Sequence, residues 1–361
     1  MSIEGECPAI DAQRAKAGFW YSEDVAPGLK CSMVLKDMLH STSSEYQKID
    51  VIETYFGRTL ITDGKTQSAQ FDEYVYHESL VHPALLKSAL LVKENGAKPR
   101  SVFIGGGGEL ATAREVLRHP SVERVVMVDL DEKVIEVCKE YLPTWGGSAV
   151  ASNPRMELII GDAFAYLMNT TEKFDVVIMD ISDPIEAGPG VMLYTQEFYA
   201  HAKTLLNSPN GVFVTQAGVA DSVPPEHAMD REQDTACFGP IKNTLGTVFD
   251  CVVPYTVNIP SFGSDWGFVM AFNSQERSGK LTSEEKQQLI MAWTDVPTGT
   301  IDNLIERRIT HIKASDSESD DALKFYDGIS HRRMFALTKP LRKVLKADER
   351  IMTKANPIFM Y

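Results

Sequence analysis

The chain has 361 residues, 43% of them hydrophobic and 24% charged, enough for one large domain or two modest ones with a full core. Its 50 acidic against 36 basic residues give a formal charge of −14, which opposes nucleic acid as a partner and suits a cationic one. The first twenty residues lack a cationic start before an apolar run, no apolar stretch approaches the ~20 residues of a membrane helix, and the five cysteines show no C-x-x-C pairing, so a cytoplasmic protein without leader, membrane span or structural metal is expected.

Up to about Phe71, polar turns alternate with short β-rich runs. Leu29–Leu35, Lys48–Phe56 and Arg58–Thr62 read as strands, with Phe56-Gly57 and Asp63-Gly64 as turns, which predicts a small antiparallel sheet. From Arg100 strand and helix alternate. Ser101–Ile104 runs into four glycines and then into a helical segment from Glu109 to Arg118. Val125–Asp129 is the next strand and Glu132–Tyr141 the next helix; Met156–Ile160, Val176–Asp180 and Gly211–Thr215 are further short apolar strands. Apolar strands between helices imply a parallel sheet covered on both faces, here closed by Val248–Val257 and Gly267–Phe272 as late antiparallel strands. The expected class is α/β: a doubly wound, methyltransferase-like Rossmann domain (residues 76–275), a small N-terminal antiparallel β domain (1–75) and a C-terminal extension (276–361). In the extension Thr282–Trp293 reads as an amphipathic helix and Ala314–Ala322 (ASDSESDDA) as an acidic mobile loop.

The segment VFIGGGGELATARE (Val102–Glu115) joins strand to helix through Gly105, Gly106, Gly107 and Gly108, which lets a ligand approach the main chain and the helix N-terminus. A glycine-rich turn alone is a weak signal. The next strand, however, ends at Asp129, 24 residues after Gly105, where a carboxylate can accept hydrogen bonds from ribose hydroxyls. The third strand is followed by Gly161-Asp162-Ala163, suited to an adenine edge, with Asp162 accepting from the amino group and the Ala163 amide donating. Each acid alone serves equally as a helix cap. Acids and glycines closing three successive strands favour a nucleoside site. Glu109 would repel the carboxylate of S-adenosylmethionine and attract a donor tail ending in ammonium; an acid in the first helical turn also complements the helix dipole.

Asp180 ends the fourth strand, and Asp183 and Glu186 follow at three-residue steps in a loop bearing proline and glycine. One such acid is most often a cap or turn residue, whereas three suggest a cation site or lid. With a sulfonium donor the leaving group is already activated, and the reaction needs an unprotonated amine held in line with the carbon. An alkylammonium titrates near ~10, so a carboxylate that orients the amine and takes its proton suits Asp180, with Asp183 helping to hold the amine and Glu186 reaching a more distant ammonium.

These residues fall within an ordered series: YQKIDVIET (Tyr46–Thr54), FGRTLITDGKTQ (Phe56–Gln67), DEYVYHESLVHP (Asp72–Pro83), the GGGGE loop, HPSVERVVMVDLDEKVI (His119–Ile135), GDA (Gly161–Ala163) and MDISDP (Met179–Pro184). The series resembles the spermidine/spermine synthase family over roughly residues 20–273. The long loop DPIEAGPGVMLYTQEFY, TQAG (Thr215–Gly218), PSFGSDWGFVMA (Pro260–Ala271) and the tail, with KFYDGISHRRMFALTKPLRKVL and NPIFMY, resemble its thermospermine-forming members most. The resemblance implies an aminopropyltransferase that uses decarboxylated S-adenosylmethionine as co-substrate and a polyamine as acceptor, with no cofactor and no metal. It implies Asp180 as proton acceptor, Gln47, Asp129, Asp162, Ala163 and Pro189 around the nucleoside, and Glu109 near the aminopropyl ammonium. On the acceptor side it implies Tyr76, His77, Asp183 and Gln216, joined by Glu186 and Trp266. Without it, His77 reads as a structural histidine and Tyr76 as a core aromatic. Phe262 stands where spermidine synthases commonly have tyrosine, and Trp266 where they have a small or aliphatic residue, so spermidine to thermospermine is favoured over putrescine to spermidine. A homodimer or homotetramer through the N-terminal region is implied as well. The alternatives are spermidine or spermine synthesis, methyl transfer from S-adenosylmethionine on the same fold, and polyamine binding without catalysis. Glu109 and the loop after Asp180 speak against methyl transfer, and Asp180 itself against binding alone.

Overall fold

A computed structural model describes residues 18–26, 29–90, 99–185, 189–207, 211–220, 236–274, 281–310 and 323–360. The chain divides into two units, one running to Glu73 and including Pro260–Gly263, the other holding Tyr74–Ile259 and everything from Ser264 on. Residues 276–361 fall within the second unit.

In the first unit, β1 (Phe19–Ala26) and β2 (Leu29–Leu35) form an antiparallel pair. Strands β3 (Asp37–Ser43), β4 (Lys48–Thr54), β5 (Gly57–Thr62) and β6 (Lys65–Ala69) form a four-stranded antiparallel sheet in that order. Strands β1, β3 and β6 are additions to the three expected ones; β3 is largely exposed and polar, so no apolar alternation marks it. The run expected to reach Phe56 stops at Thr54, because Tyr55-Phe56 form the turn. Asp63 and Gly64, at φ 48° and 75°, make the two-residue hairpin between Thr62 and Lys65 that an Asp-Gly pair favours. Ile49, Val51 and Leu60 share one buried face, while Ile52 and Ile61 are buried on the other. The Ser261 amide and hydroxyl donate to Asp72 at 2.7 and 2.8 Å, tying Pro260–Gly263 into this unit.

Helix α1 (Glu73–Leu90) runs from the unit boundary into the second unit, where a seven-stranded sheet forms. Its strands are β7 (Ser101–Gly106), β8 (Arg124–Asp129), β9 (Met156–Ile160), β10 (Val176–Asp180), β11 (Val212–Val219), β12 (Cys251–Ile259) and β13 (Ser264–Phe272). Their spatial order is β12-β13-β11-β10-β7-β8-β9; the last five are parallel neighbours, and β13 is antiparallel to β11 and β12. Helices α2 (Ala111–Leu117), α3 (Glu132–Tyr141), α4 (Gly147–Ala151), α5 (Ala163–Asn169), α6 (Gln196–Thr204) and α7 (Phe238–Val248) connect the strands. Central strand residues such as Phe103, Val126, Val177 and Phe213 are wholly buried, as expected of a sheet packed on both faces. Two strand starts and one helix start shift. The strand expected from Val248 begins at Cys251, since Val248 closes α7, and the helix expected from Glu109 begins at Ala111, since Leu110 turns to φ 74°. Strand β13 begins earlier than expected, at Ser264.

Topology places the site. From β7 the chain moves outward through β8 and β9, then returns on the other side of β7 to lay down β10 and β11. Gly106 and Asp180 are therefore register partners at the ends of β7 and β10, at the switch point where such sheets open a crevice.

After β13 come α8 (Ser283–Thr294), which starts with a Thr282–Glu285 capping box, then α9 (Thr298–Arg308), α10 (Gly328–Phe335) and α11 (Lys339–Ala347). The acidic run Ala314–Ala322 lies outside the described residues.

Candidate active site

The glycine run is a steric requirement of this crevice. Gly106 sits at φ 81°, and a Cβ there would stand 2.1 Å from the Asp180 carbonyl oxygen. Gly107, at φ 79°, donates its amide to that same carbonyl at 3.0 Å. A Cβ on Gly108 would stand 3.0 Å from Asp129 Oδ2. Side chains here would close the space between β7, β8 and β10.

Asp180 holds the centre. Its Oδ1 accepts from the Tyr76 hydroxyl at 2.7 Å and its Oδ2 from the Thr112 hydroxyl at 2.5 Å. Burial pushes its carboxyl up, and the nearby Glu109 carboxylate adds to the rise; His77 and the two hydroxyl donors oppose it. The Tyr76 ring stands edge-on to His77 at 5.1 Å and to Phe268 at 5.3 Å. His77, wholly buried, sets Nε2 3.1 Å from Glu109 Oε1. Tyr76 and His77 come from α1, Glu109 and Thr112 from the segment after the glycines, and Asp180 from β10. Three parts of the chain thus converge on one carboxylate. Each Asp180 oxygen has two lone pairs, so after accepting one hydrogen bond it can still take a proton or an amine hydrogen.

Asp129 ends β8, where Oδ1 accepts from the Asp131 amide at 2.9 Å. Burial, with the charges of Glu109, Asp131 and Asp180, pushes its carboxyl up to about 6. Asp162 caps α5 by accepting from the Phe164 amide at 2.8 Å, and Ala163 begins that helix. The Gly161 amide donates to the Asp129 carbonyl at 2.8 Å, so the ends of β8 and β9 are joined.

Asp183 is placed by β11. Gln216, 2% exposed, donates its amide nitrogen to Asp183 Oδ1 at 3.0 Å, the Ile181 carbonyl at 2.8 Å and the Tyr194 oxygen at 2.9 Å, while its carbonyl accepts from the Gly218 amide at 2.8 Å. The Tyr194 hydroxyl donates to the Ser182 carbonyl at 3.1 Å. Gln216 therefore holds the loop after Asp180 in shape. Trp266, half-buried in β13, is the register partner of Val219.

The geometry brings together Asp180, Tyr76, His77, Glu109 and Asp129, and separately Asp183 and Gln216. Pro189 opens the 3₁₀ turn Pro189–Tyr194. Gln47 belongs to the first unit, where its amide donates to Ser44 Oγ at 3.1 Å. Glu186 lies outside the described residues. Thr112 and Tyr194 were not singled out from sequence; a threonine in the first turn of a helix and a tyrosine in an apolar run carry no signal of their own. Among the described residues no group of three or more His, Cys, Asp or Glu side chains is arranged to hold a metal ion.

With this geometry in view, comparisons with known proteins converge. The spermine/spermidine synthase domain matches residues 73–282, and the spermidine synthase tetramerisation domain matches residues 19–70. The chain is 36% identical over 343 residues to the thermospermine synthase ACAULIS5 of Arabidopsis thaliana, covering 95% of this chain and 87% of that protein. It is likewise 36% identical over 343 residues to a polyamine aminopropyltransferase of Aeropyrum pernix, covering 94% and 95%. Among solved structures, a spermidine synthase in complex with the transition-state analogue AdoDATO superposes with a TM-score of 0.68 at 26% identity, covering 92% of this chain and 96% of that one.

Proposed function

The chain belongs to the spermine/spermidine synthase family of polyamine aminopropyltransferases, and from that premise we propose that it transfers the aminopropyl group of decarboxylated S-adenosylmethionine to spermidine, forming thermospermine and releasing methylthioadenosine. The acceptor amine attacks the carbon beside the sulfonium, a C–N bond forms, and the C–S electron pair returns to sulfur. Asp180 takes the proton that the acceptor ammonium must lose before this attack, and the product nitrogen keeps its two hydrogens as a secondary ammonium. The observation that carries this reading is the Asp180 carboxylate, fixed by Tyr76 and Thr112 at the switch point and raised toward the affinity for protons that a base needs.

In this reading Asp129 takes the ribose hydroxyls, the Asp162-Ala163 turn takes the adenine edge, with Pro189 near the nucleoside, and Glu109 pairs with the aminopropyl ammonium. Tyr76, His77, Asp183 and Trp266 line the acceptor side. Asp162 spends one carboxylate oxygen on its cap and keeps the other for the adenine amino group. Support for a triamine comes from the long loop after Asp183, from Phe262 and Trp266, and from the similarity to the Arabidopsis thermospermine synthase.

The test is product analysis. The purified enzyme is given decarboxylated donor with putrescine, spermidine or norspermidine, and isomeric products are separated. Thermospermine from spermidine, with putrescine poorly used, is the expected result. Equal turnover of putrescine would move the enzyme to spermidine synthesis, and spermine as sole product to spermine synthesis.

A homodimer or homotetramer fits as well. Within the first unit Phe19, Trp20, Met38, Tyr55 and Phe71 are exposed large apolar side chains, the kind of surface a subunit interface covers. A cytoplasmic location agrees with the free thiols of Cys31, Cys138, Cys237 and Cys251. No described helix is long and apolar enough to cross a membrane.

A further inference from the structure

After α11 the chain folds back over the second unit. Met352 is wholly buried; its amide donates to Thr244 Oγ1 at 2.9 Å and its carbonyl accepts from the Gln196 amide at 2.8 Å. The Lys354 amide donates to Glu197 Oε2 at 3.1 Å, and Thr353 and Asn356 exchange backbone hydrogen bonds at 3.1 Å. The tail then reaches the loop that carries Asp183. The Met360 amide donates to the Pro184 carbonyl at 2.7 Å, and Met360 itself is 8% exposed.

Gly218 shows what the tail touches. It lies at φ 72° in the bulged part of β11, and a Cβ there would meet Met360 Sδ at 3.1 Å and Asp183 Oδ1 at 3.3 Å. The methionine thioether and the Asp183 carboxylate thus flank the space that a side chain at Gly218 would need. The Asp183 carboxylate accepts from Gln216, and the carbonyl of the next residue, Pro184, accepts from the Met360 amide.

We propose that Met360 is a positioning residue for the acceptor: the C-terminal tail fixes the Pro184 carbonyl, one residue beyond Asp183, and so sets acceptor affinity without touching the reacting atoms. This rests on the reading of Asp183 as an acid that holds the acceptor. The Met360 amide bonds to the loop after Asp180, whereas on the nucleoside side the tail places Lys354 Nζ 5.9 Å from the centre of the Phe164 ring, six residues away from Met360, so a change at Met360 falls on the acceptor first.

Full-length Met360→Pro removes the amide donor, Met360→Leu keeps it with similar volume, and Asp183→Asn reports on the acceptor acid itself. Met360→Pro should raise the spermidine KM about tenfold, the usual scale for one lost ordering hydrogen bond, with kcat and methylthioadenosine affinity within about twofold. Met360→Leu should stay near wild type, and the Asp183→Asn/Met360→Pro double variant should be no worse than Asp183→Asn alone. An unchanged spermidine KM in Met360→Pro, beside a raised one in Asp183→Asn, overturns the role of the tail. So does a parallel loss of nucleoside affinity, kcat and melting temperature, which marks mere destabilisation. An unchanged KM in Asp183→Asn overturns instead the acceptor reading on which the proposal stands. Should the proline variant not fold, Met360→Ala, which keeps the amide and empties the space beside Gly218, carries the same test with an expected rise of about threefold.

Discussion

The Thr112 hydroxyl donates to Asp180 Oδ2 across 2.5 Å, on the carboxylate oxygen that Tyr76 leaves open. A hydrogen bond to the charged form opposes the upward push of burial and Glu109 on Asp180. Thr112→Val keeps the shape and deletes that donor. The acid limb of the kcat/KM profile should then move to higher pH by roughly one unit, with the plateau rate within a few-fold of wild type. An unmoved limb would remove Thr112 from any part in tuning the base.

Asp180→Asn is the companion test. Asparagine can still accept from Tyr76 or Thr112, so the cradle survives, but it cannot take a proton. Turnover should fall by ~10²–10⁴ while methylthioadenosine affinity stays within a few-fold. Activity close to wild type would leave Asp180 without the role of base.

How far the sequence revealed this site depends on how each element is buried. Strands β7, β8 and β10 and the glycine run were readable, because central parallel strands are continuous apolar runs and the steric demand at Gly106 allows only glycine. Helix α1 gave no such signal. Nearly every residue from Glu73 to Ala89 is buried, with Glu78, His82 and Lys87 among the apolar side chains, so it has no polar face and no 3.6-residue pattern. Tyr76 and His77 were accessible only through family resemblance for that reason. Helix α11, by contrast, carries a local signal, with Thr338 as cap, Pro340 in its first turn and Leu341, Val344 and Leu345 at helical spacing, whereas the three amides from 324 to 326 that converge on Glu78 are long-range contacts without one.

Asp129 gives a pH test of the nucleoside site. Its carboxyl is pushed up to about 6, so at pH 5 only about a tenth of the free enzyme carries the charge. Ribose hydroxyls donate to the ionised form and lower the carboxyl again on binding. Methylthioadenosine affinity should therefore fall as pH drops through 6, to about a tenth of its neutral value by pH 5. Asp129→Asn should bind weakly and show a flat profile. Calorimetry across pH 5–8 decides, and a wild-type profile without this fall would detach Asp129 from the ribose.

His331 contributes to acid stability. Its Nε2 faces the Trp293 carbonyl at 3.0 Å and its Nδ1 faces the Tyr326 hydroxyl at 2.7 Å, an arrangement met by the neutral ring with Nε2–H donating and Nδ1 accepting. Burial lowers its titration to about 4 from an ordinary 6.5. The depressed histidine contributes stability that is complete above pH 6.5 and is lost as pH falls toward 4, roughly 3 kcal/mol in all. Replacing it with the uncharged His331→Gln should lower stability at neutral pH yet flatten its decline between pH 6.5 and 4. Urea titrations at several pH values measure both slopes, and parallel slopes in the two proteins would discard the assignment.

Glu109 links donor choice to the base. Its Oε1 lies 3.1 Å from His77 Nε2, and its charge contributes to the rise of Asp180. Glu109→Gln can still accept from His77 through its carbonyl oxygen, so the local fold is kept while the charge goes. Two effects follow, and they are independent. First, the ammonium of the decarboxylated donor loses a charged partner and the carboxylate of S-adenosylmethionine loses a repulsive one. Discrimination between the two donors should shrink by about 1.5–3 kcal/mol, the worth of a charge-assisted hydrogen bond, or roughly ten- to a hundredfold in relative affinity. Second, Asp180 is relieved of a neighbouring negative charge, so the acid limb of kcat/KM should move to lower pH, opposite to its movement in Thr112→Val. Binding of both donors and a pH–rate profile on the same variant read the two effects. If discrimination and limb both stay put, Glu109 serves only the start of the following helix and the orientation of His77.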